Sequence, residues 1–262
     1  MVTQDLRGSE GPRVVARVMT LLSAFDDEHP ALSLTELARR SGLPLTTAHR
    51  LLAELERGEF VNRSPDGMYG IGRRLWQIGT LAPLNRVLRE AALPSLRALA
   101  QETGFDVALA VGAGTRALYV DRVVTRPKAV ANPPGMSLPL PTTAAGKVIL
   151  AHSQSYLLDA CVATLTALTP WTVTDPRRLA DQLAMTRDLG YASNSQECHI
   201  GLAALAVPVS GRAGAPVASL VLVSPTPAVP PKSVLTPMRF AAAAISRALP
   251  SDETLLGLAP SD

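Results

Sequence analysis

Four polar residues, Thr46, Thr47, His49 and Arg50, share one side of a short predicted helix. Residues three and four positions apart lie on the same helical face. Hydroxyl, imidazole and guanidinium groups hydrogen-bond to the phosphates and base edges of DNA, and an arginine can bind guanine through two parallel hydrogen bonds. The face therefore indicates DNA contact, with Arg50 on a base or a phosphate. An ordinary helical hairpin with a solvated polar face has the same local pattern.

Two helices joined by a tight turn would position this face. Ser33 and Glu36 have the spacing of a capping box, which begins the first helix. Gly42 ends that helix, and Pro44 is acceptable as the first residue of the second. The second helix is expected to bury its apolar side, which consists of Leu45, Ala48, Leu51, Leu52 and Leu55. A short helix packed across a preceding one is the arrangement that a helix-turn-helix places in a major groove.

A helix precedes this pair and a hairpin follows it. The first helix is expected to bury a stripe made of Val14, Val15, Val18, Leu21, Leu22 and Phe25. Residues 60–63 and 68–71 have the pattern of two short strands around the turn sequence Ser64-Pro65-Asp66-Gly67. Such a hairpin is a wing, in which Arg63 and Ser64 would contact the phosphate backbone. A hairpin that binds no DNA would look the same, but the order of three helices and a hairpin is more specific than any one part.

The distribution of charge predicts only modest DNA binding by a single subunit. The chain has a formal net charge of +3, but residues 1–80 hold ten Arg and ten Asp or Glu. The window 39–50 contains Arg39, Arg40 and Arg50 and no acid. Because binding through phosphates scales with the number of cations, each subunit should bind modestly and an oligomer should bind better. The candidate DNA contacts are Arg39, Thr46, Thr47, His49, Arg50, Arg63 and Ser64.

The sequence does not have the features of an exported, membrane-spanning or disulfide-rich protein. The chain has 262 residues, of which 47% are hydrophobic and 18% charged, as in globular proteins. Its beginning does not resemble a signal peptide, and no apolar run reaches the length of a membrane span. Cys161 and Cys198 form no disulfide framework. We expect a cytoplasmic protein that needs no membrane, metal or cofactor.

After the hairpin the chain first continues as helix. Residues 72–92 are predicted to form an apolar linker helix, broken or kinked at Pro83, and residues 93–103 a further helix. The linker is too apolar for a free connector, so a second subunit is its expected partner.

The pattern then becomes that of an α+β domain with one mainly antiparallel sheet. Asp175 and Gly190 have the positions of an N-cap and a C-terminal glycine around one of the helices. The predicted strands are residues 105–111, 117–124, 191–194, 202–209 and 217–223, and the predicted helices are 142–151, 176–190 and 233–249.

The segment from Thr142 to Lys147 suggests a ligand pocket. It places two hydroxyls and three small residues at a predicted helix N-terminus, where exposed backbone N–H groups and the helix dipole favour an anion. Ala144, Ala145 and Gly146 would permit close approach of a ligand. Lys147 would either add positive charge to this pocket or be solvated at the surface.

The chain resembles the IclR-type (isocitrate lyase regulator) transcription factors over nearly its whole length. The resemblance lies in motifs that occur in the family's order and spacing. In the first part they are RVVARVMTLLSAF, SLTELARRSGLPLTTAHRLLAELERGEFV and MYGIGRRLWQIG; in the second they are GMSLPLPTTAAGKVILA, LGYASNSQE, GLAALAVPV and GAPVASLVLVSP.

The resemblance implies two domains. Residues 10–72 would form a winged helix-turn-helix DNA-binding domain, and residues 73–253 a GAF-like α/β effector-binding domain, with a linker helix at about 72–92. Members are homodimers or dimers of dimers that bind palindromic operators in double-stranded DNA. A small molecule, often an organic or aromatic acid, changes their DNA affinity. The chain would accordingly be a ligand-responsive repressor, in which the effector shifts two winged domains through the linker helix.

The family's effector pocket, carried over by motif, gives a set of lining residues. These are Ala144, Ala145, Asn194, Leu202, Ala204, Val221 and Val223. Relatives usually have polar or thiol side chains where this chain has Ala204, Val221 and Val223, and often a histidine where it has Pro141. The three apolar residues cannot hydrogen-bond a carboxylate. The resemblance therefore implies a more apolar or aromatic effector, or weakened binding.

Two other functions compete with this one. An enzyme would draw on Glu197, Cys198 and His199, or on Cys161 with His152. Neighbouring residues in a strand point to opposite sides, and the scattered Cys and His residues have no metal-ligand spacing. No nucleotide-binding or hydrolase motif is present. The other alternative is a dimeric sensor or scaffold with weak or lost DNA specificity.

Overall fold

A computed structural model describes residues 14–26, 29–79, 83–125, 133–211, 214–226 and 232–250. The chain divides into two compact units, Met1–Ala82 and Pro83–Asp262. The first and last residues of the predicted domains, 10–13 and 251–253, lie outside the described residues. No helix in the described part is long and apolar enough to cross a membrane.

The described residues of the first unit form four helices and a three-stranded antiparallel sheet in the order β1-β3-β2. Its elements are α1 (Val14–Leu22), β1 (Ala31–Leu32), α2 (Leu34–Ser41), α3 (Leu45–Arg57), β2 (Val61–Arg63), β3 (Tyr69–Ile71) and α4 (Arg73–Gly79). The predicted helix-turn-helix and wing are confirmed. Strand β1, which extends the wing to three strands, was not predicted because two residues carry no periodicity.

Local sequence determines where α2 begins and ends. The Ser33 hydroxyl accepts a hydrogen bond from the Glu36 backbone N–H (3.3 Å), and the Glu36 carboxylate accepts one from the Ser33 N–H (2.9 Å). This reciprocal pair is the predicted capping box. Gly42 ends the helix with a φ of 65°, a left-handed conformation that glycine adopts without steric cost.

The core of this unit lies where α1, α2, α3 and the sheet meet. Its fully buried residues include Leu21, Leu32, Leu37, Ala48, Leu52 and Val61. Two expectations about the core were wrong. Val14 and Val15 are exposed, because the first turn of α1 lies away from the cluster. Leu45 is half exposed, because it opens α3 directly after Pro44, which is extended (ψ 141°) and stands before the helix as its N-cap.

The second unit has a six-stranded sheet in the order β6-β5-β4-β9-β8-β7, and every pair of neighbours is antiparallel. Its elements are α5 (Pro83–Thr103), β4 (Asp106–Ala113), β5 (Arg116–Val123), β6 (Ser137–Pro139), α6 (Ala144–Ala151), α7 (Ser155–Ala163), α8 (Pro176–Leu189), β7 (Ala192–Ser195), β8 (Leu202–Ser210), β9 (Pro216–Pro225) and α9 (Leu235–Ala248). The predicted α+β class is confirmed.

Helices cover both faces of this sheet. Leu205 and Leu220 lie in one apolar cluster with residues of α5 and α9. The alternate positions Ala206 and Val221 lie in a second cluster with residues of α6 and α8. This alternation follows from the two-residue period of a strand. The sheet is therefore the middle layer of three, and α6 lies on the face that carries the predicted pocket.

The segment predicted as a linker helix at 72–92 is divided at Pro83, as expected, but the predicted end at residue 92 and the separate helix over 93–103 were wrong. Helix α4 ends at Gly79, and α5 begins at Pro83 and continues through Pro94 to Thr103 as one helix. Pro83 suits a first helical position because no backbone N–H is needed there. Leu88 and Leu96, on either side of Pro94, are both fully buried in the same cluster, and this packing maintains the helix across the proline.

Gly72 supplies a test of the wing. A Cβ at this position would lie 2.2 Å from the carbonyl oxygen of Glu59, so Gly72→Ala must displace backbone. We expect it to lower the free energy of unfolding by about 1–3 kcal/mol. Gly79→Ala is the control, because nothing lies within 4 Å of its Cβ. Thermal denaturation followed by circular dichroism measures both, and equal midpoints would contradict the packing described for the wing.

Candidate functional site

The face of α3 that was predicted to contact DNA follows from the periodicity of the helix. Ala48, Leu51 and Leu52 are buried, whereas Thr46, His49 and Arg50 are exposed and Thr47 is half-buried. The four residues predicted to contact DNA on α3 therefore share the side opposite the core. Arg50 and His49 have no side-chain partner among the described residues, so their polar groups are available to a ligand.

Arg40 does not contribute to this surface as the sequence suggested. Its Nε donates to the carbonyl oxygen of Ala24 (2.8 Å), and its guanidinium forms an ion pair with Asp26. The pKa of Asp26 is lowered, first by its hydrogen bond from His29 and further by Arg40. One of the three positive charges expected near α3 is thus neutralised, which leaves Arg39 and Arg50 exposed.

Of the two wing residues predicted to contact DNA, Arg63 faces solvent and Ser64 hydrogen-bonds within the turn. Arg63 is exposed, with its guanidinium 5.4 Å from the centre of the Tyr69 ring, a cation–π distance. The Ser64 hydroxyl accepts from the Met68 N–H (3.1 Å) and donates to the Met68 carbonyl (3.0 Å). The nearby Ser64 side chain and the backbone N–H groups of Asp66 and Met68 lower the pKa of Asp66, so the wing tip also carries a negative charge. Ser64 therefore shapes the turn, and Arg63 is the cation of the wing that faces solvent.

A pocket of about 350 Å³, counted with its opening to solvent, lies over the α6 face of the second sheet. Its lining consists of Tyr119, Leu138, Thr143, Ala144, Asn194, Cys198, His199, Leu202, Ala203, Ala204 and Val223. The structure brings five of the seven predicted effector residues together here. The other two, Ala145 and Val221, are fully buried in the apolar cluster beside it.

Strand register explains which residues meet in the pocket. Asn194 on β7 pairs with Ala204 on β8, which in turn pairs with Val223 on β9, so the three residues form one row across the sheet. Tyr119 comes from β5, on the far side of β4 and β9. Cys198 and His199 lie in the loop between β7 and β8. From the sequence we considered Cys198 and His199 only as residues of an enzyme and Tyr119 not at all, because their approach to the pocket depends on strand order and loop shape rather than on a motif.

Most of the polar groups around the pocket already have hydrogen-bond partners within the protein. The Asn194 amide donates to the carbonyl of Thr142 and accepts from the Glu197 N–H (3.3 Å). The Thr143 hydroxyl accepts from the Gly146 N–H (3.0 Å) and caps α6. The predicted helix N-terminus at the pocket is therefore real, and its cap is supplied by Thr143.

Lys147 lies in the interior rather than at the surface. Its ammonium is 2.6 Å from a carboxylate oxygen of Glu197, and the two side chains are 2% and 9% exposed. Burial lowers the pKa of Lys147 and raises that of Glu197, while their mutual attraction opposes both shifts. The second carboxylate oxygen of Glu197 is buried without a hydrogen-bond partner in the described part of the chain. The pair fastens the β7–β8 loop to α6.

The thiols and histidines show no arrangement for nucleophilic chemistry. Burial raises the pKa of Cys161 to about 11 and also raises that of Cys198, so the reactive thiolate is disfavoured at both. The imidazole Nδ1 of His152 lies 2.9 Å from the carbonyl of Val148. Within the described residues, no three His, Cys, Asp or Glu side chains come close enough to hold a metal ion.

Two family models match the chain. One describes the IclR helix-turn-helix domain and matches residues 14–65, and the other describes the bacterial transcriptional regulator IclR C-terminal domain and matches residues 83–247. The chain belongs to the IclR family. It is a DNA-binding transcriptional regulator, and the exposed face of α3 lies in the part that matches the helix-turn-helix model.

Individual relatives agree with this assignment. The HTH-type transcriptional regulator XynR of Escherichia coli is 30% identical over 79% of this chain and 84% of its own length. The transcriptional repressor IclR of the same organism is 30% identical over 80% of this chain and 79% of its own length. An IclR homolog from Microbacterium hydrocarbonoxydans, solved in complex with 4-hydroxybenzoate, is 28% identical. It superposes with a TM-score of 0.80 over 90% of this chain and 98% of its own.

The Lys147–Glu197 pair yields a prediction about stability. Lys147→Met would leave a buried carboxylate without its partner, and we expect a loss of about 3–5 kcal/mol in the free energy of unfolding. Adding Glu197→Leu should recover most of this loss, because an apolar pair needs no charge compensation. Urea unfolding measures both.

The control for this prediction is Lys232→Met, which changes an exposed lysine of the same unit and should alter stability by less than about 0.5 kcal/mol. A Lys147→Met protein as stable as wild type would contradict the buried ion pair.

Proposed function

We propose that this regulator is a repressor that binds a palindromic operator as a homodimer or dimer of dimers and responds to a small organic effector. The observation that carries the proposal is the exposed face of α3, which presents Arg50 without a partner among the described residues. We further propose residues 10–72 as the DNA-binding domain and residues 73–253 as the effector-binding domain.

In this proposal α3 enters the major groove. Thr46, Thr47, His49 and Arg50 contact base edges or phosphates, and Arg50 is suited to a guanine. Arg39 at the end of α2 and Arg63 on the wing contact the backbone. Ser64 supports the wing through its turn, since its hydroxyl is already paired with Met68.

An oligomer suits the limited charge of one DNA-binding unit. Arg39 on α2, Arg50 on α3 and Arg63 on the wing give weak electrostatic binding per subunit, and two linked units bind two half-sites together. Exposed apolar side chains on α1 and α4 support a second copy as the partner. They are Val14, Val15, Met19, Trp76 and Ile78.

The effector would occupy the pocket over the second sheet and be compact and largely apolar or aromatic. Leu138, Leu202, Ala204 and Val223 make most of its wall apolar. The Microbacterium homolog that holds 4-hydroxybenzoate gives independent support for an aromatic acid. Tyr119, on β5, connects the pocket to the sheet whose other face packs against α5, so a ligand that shifts β5 would also bias α5.

Arg50 provides the test of this function. We expect Arg50→Ala to weaken binding to the specific operator by about 5- to 150-fold, which corresponds to one lost base contact. The matched control is Arg57→Ala, which removes an exposed arginine from the last turn of the same helix, where it pairs with Glu54. Fluorescence anisotropy at a fixed salt concentration measures both. An Arg50→Ala protein that bound as tightly as wild type would contradict this docking of α3.

The alternative is a dimeric sensor or scaffold with weak or lost DNA specificity. The match of residues 14–65 to the IclR helix-turn-helix model favours the regulator. If wild-type protein showed no preference for any operator fragment while still dimerising and binding ligand, the scaffold would be the better description.

A further inference from the structure

The polar groups that line the pocket differ in whether they already have partners. Both ends of the Asn194 amide are hydrogen-bonded, and the Thr143 hydroxyl accepts from Gly146. Tyr119 also has an interaction within the protein. The imidazole of half-buried His199, in contrast, makes no hydrogen bond or ion pair with any described residue. A half-buried polar group without a partner loses hydration and gains nothing until a ligand supplies a hydrogen bond.

The charges around the pocket favour an anion at this position. No Lys, Arg, Asp or Glu side chain is among the pocket-lining residues of the described chain. Glu197, an acid of the β7–β8 loop, is paired with Lys147 at 2.6 Å. Both Arg116 and Glu197 act electrostatically on Cys198, the neighbour of His199, and the effect of Arg116 is the larger. Because Lys147 pairs with the acid and the cation has the larger effect, a carboxylate near His199 would meet net attraction.

We propose that His199 is the specificity-determining residue of this pocket, and that it binds the single carboxylate of an effector whose body is compact and apolar. This inference rests on the proposed function of the pocket as the effector site. The imidazole donates to the carboxylate, and the apolar wall of Leu138, Leu202 and Val223 accommodates the rest. The sequence indicated His199 only as a candidate residue of an enzyme, because the loop that brings it to the pocket has no motif.

The loop that carries His199 is held in place by hydrogen bonds to its backbone. Thr172 donates to the carbonyl of Glu197 (2.7 Å), and Thr169 donates to the carbonyl of Gln196 (2.6 Å). The Gln196 side chain accepts from the Gly201 N–H (2.9 Å), which closes the loop on itself. Together with the ion pair of Lys147, these bonds fix both ends of the loop. The backbone that carries His199 is therefore preorganised, and a ligand has to order only the imidazole.

The test uses the full-length protein and matched pairs of probes. Benzoate and phenylacetate are titrated by isothermal calorimetry beside benzamide and phenylacetamide, which have the same shape without the charge. The variants are His199→Leu, His199→Gln, which keeps a neutral hydrogen-bond donor, and His152→Leu. His152 is an exposed histidine of the same unit that does not line the pocket. Melting temperatures identify any variant that fails to fold.

We expect wild type to bind the acids more tightly than the amides. His199→Leu should weaken acid binding by about 10- to 100-fold, the effect of one lost charge-assisted hydrogen bond. It should weaken amide binding less, because the amide oxygen accepts only an uncharged hydrogen bond. His199→Gln should recover part of the loss, and His152→Leu should match wild type.

Three results would overturn the proposal, and they separate it from the proposed function. Undiminished acid binding by folded His199→Leu would remove the role of His199 and leave the effector pocket intact. A wild-type preference for the amides would remove the carboxylate. Binding of neither acids nor amides by wild type would overturn the specificity assigned to His199 together with the apolar or aromatic effector, while DNA recognition through Arg50 would remain testable separately.

Discussion

The DNA-binding unit depends on one constraint, which is that α3 must bury one side completely in order to present the other. Ala48 is fully buried, and its small side chain allows α2 and α3 to approach closely. Leu51 and Leu52 fill the same cluster with Leu37 from α2. Since α2 is itself fixed by the Ser33 capping box and ended by Gly42, the orientation of the Thr46–Arg50 face follows from local sequence and packing together. A helix held in this way offers DNA a rigid set of side chains, which lowers the entropic cost of binding.

The second unit, which is proposed to bind the effector, combines an apolar sheet with the buried ion pair of Lys147 and Glu197. The six-stranded sheet provides a row of small and apolar residues beneath the pocket, while Lys147 and Glu197 connect α6 to the loop that forms the pocket wall. Such a pair adds little net stability compared with apolar residues, but breaking it is costly. It therefore specifies where the loop lies. In the proposed effector site, the fixed position of this loop serves ligand recognition by His199. Through β5 and α5 it would also serve the coupling of ligand binding to DNA binding.

The residues that sequence alone identified correctly act through local rules. Asp175 accepts hydrogen bonds from the N–H groups of Arg177 and Arg178, and Gly190 ends α8 with a φ of 69°, both as expected from their spacing. Errors arose where residues far apart in sequence meet. Arg40 forms an ion pair with Asp26, and Lys147 forms one with Glu197, fifty residues further along the chain. Helix α7 was missed because its apolar residues do not follow a clear stripe. The predicted division between residues 92 and 93 was wrong because α5 continues through Pro94, with Leu88 and Leu96 buried in one cluster.

The central claim, that this protein recognises a DNA sequence rather than DNA charge, is tested most directly by anisotropy across a series of salt concentrations. Labelled DNA from upstream of the protein's own gene is compared with unrelated DNA of equal length. The account predicts selective binding that persists as salt rises, because base contacts by α3 add to the salt-sensitive phosphate contacts. Equal binding to both DNAs that disappears with salt, or no binding to either, would contradict sequence recognition at this site.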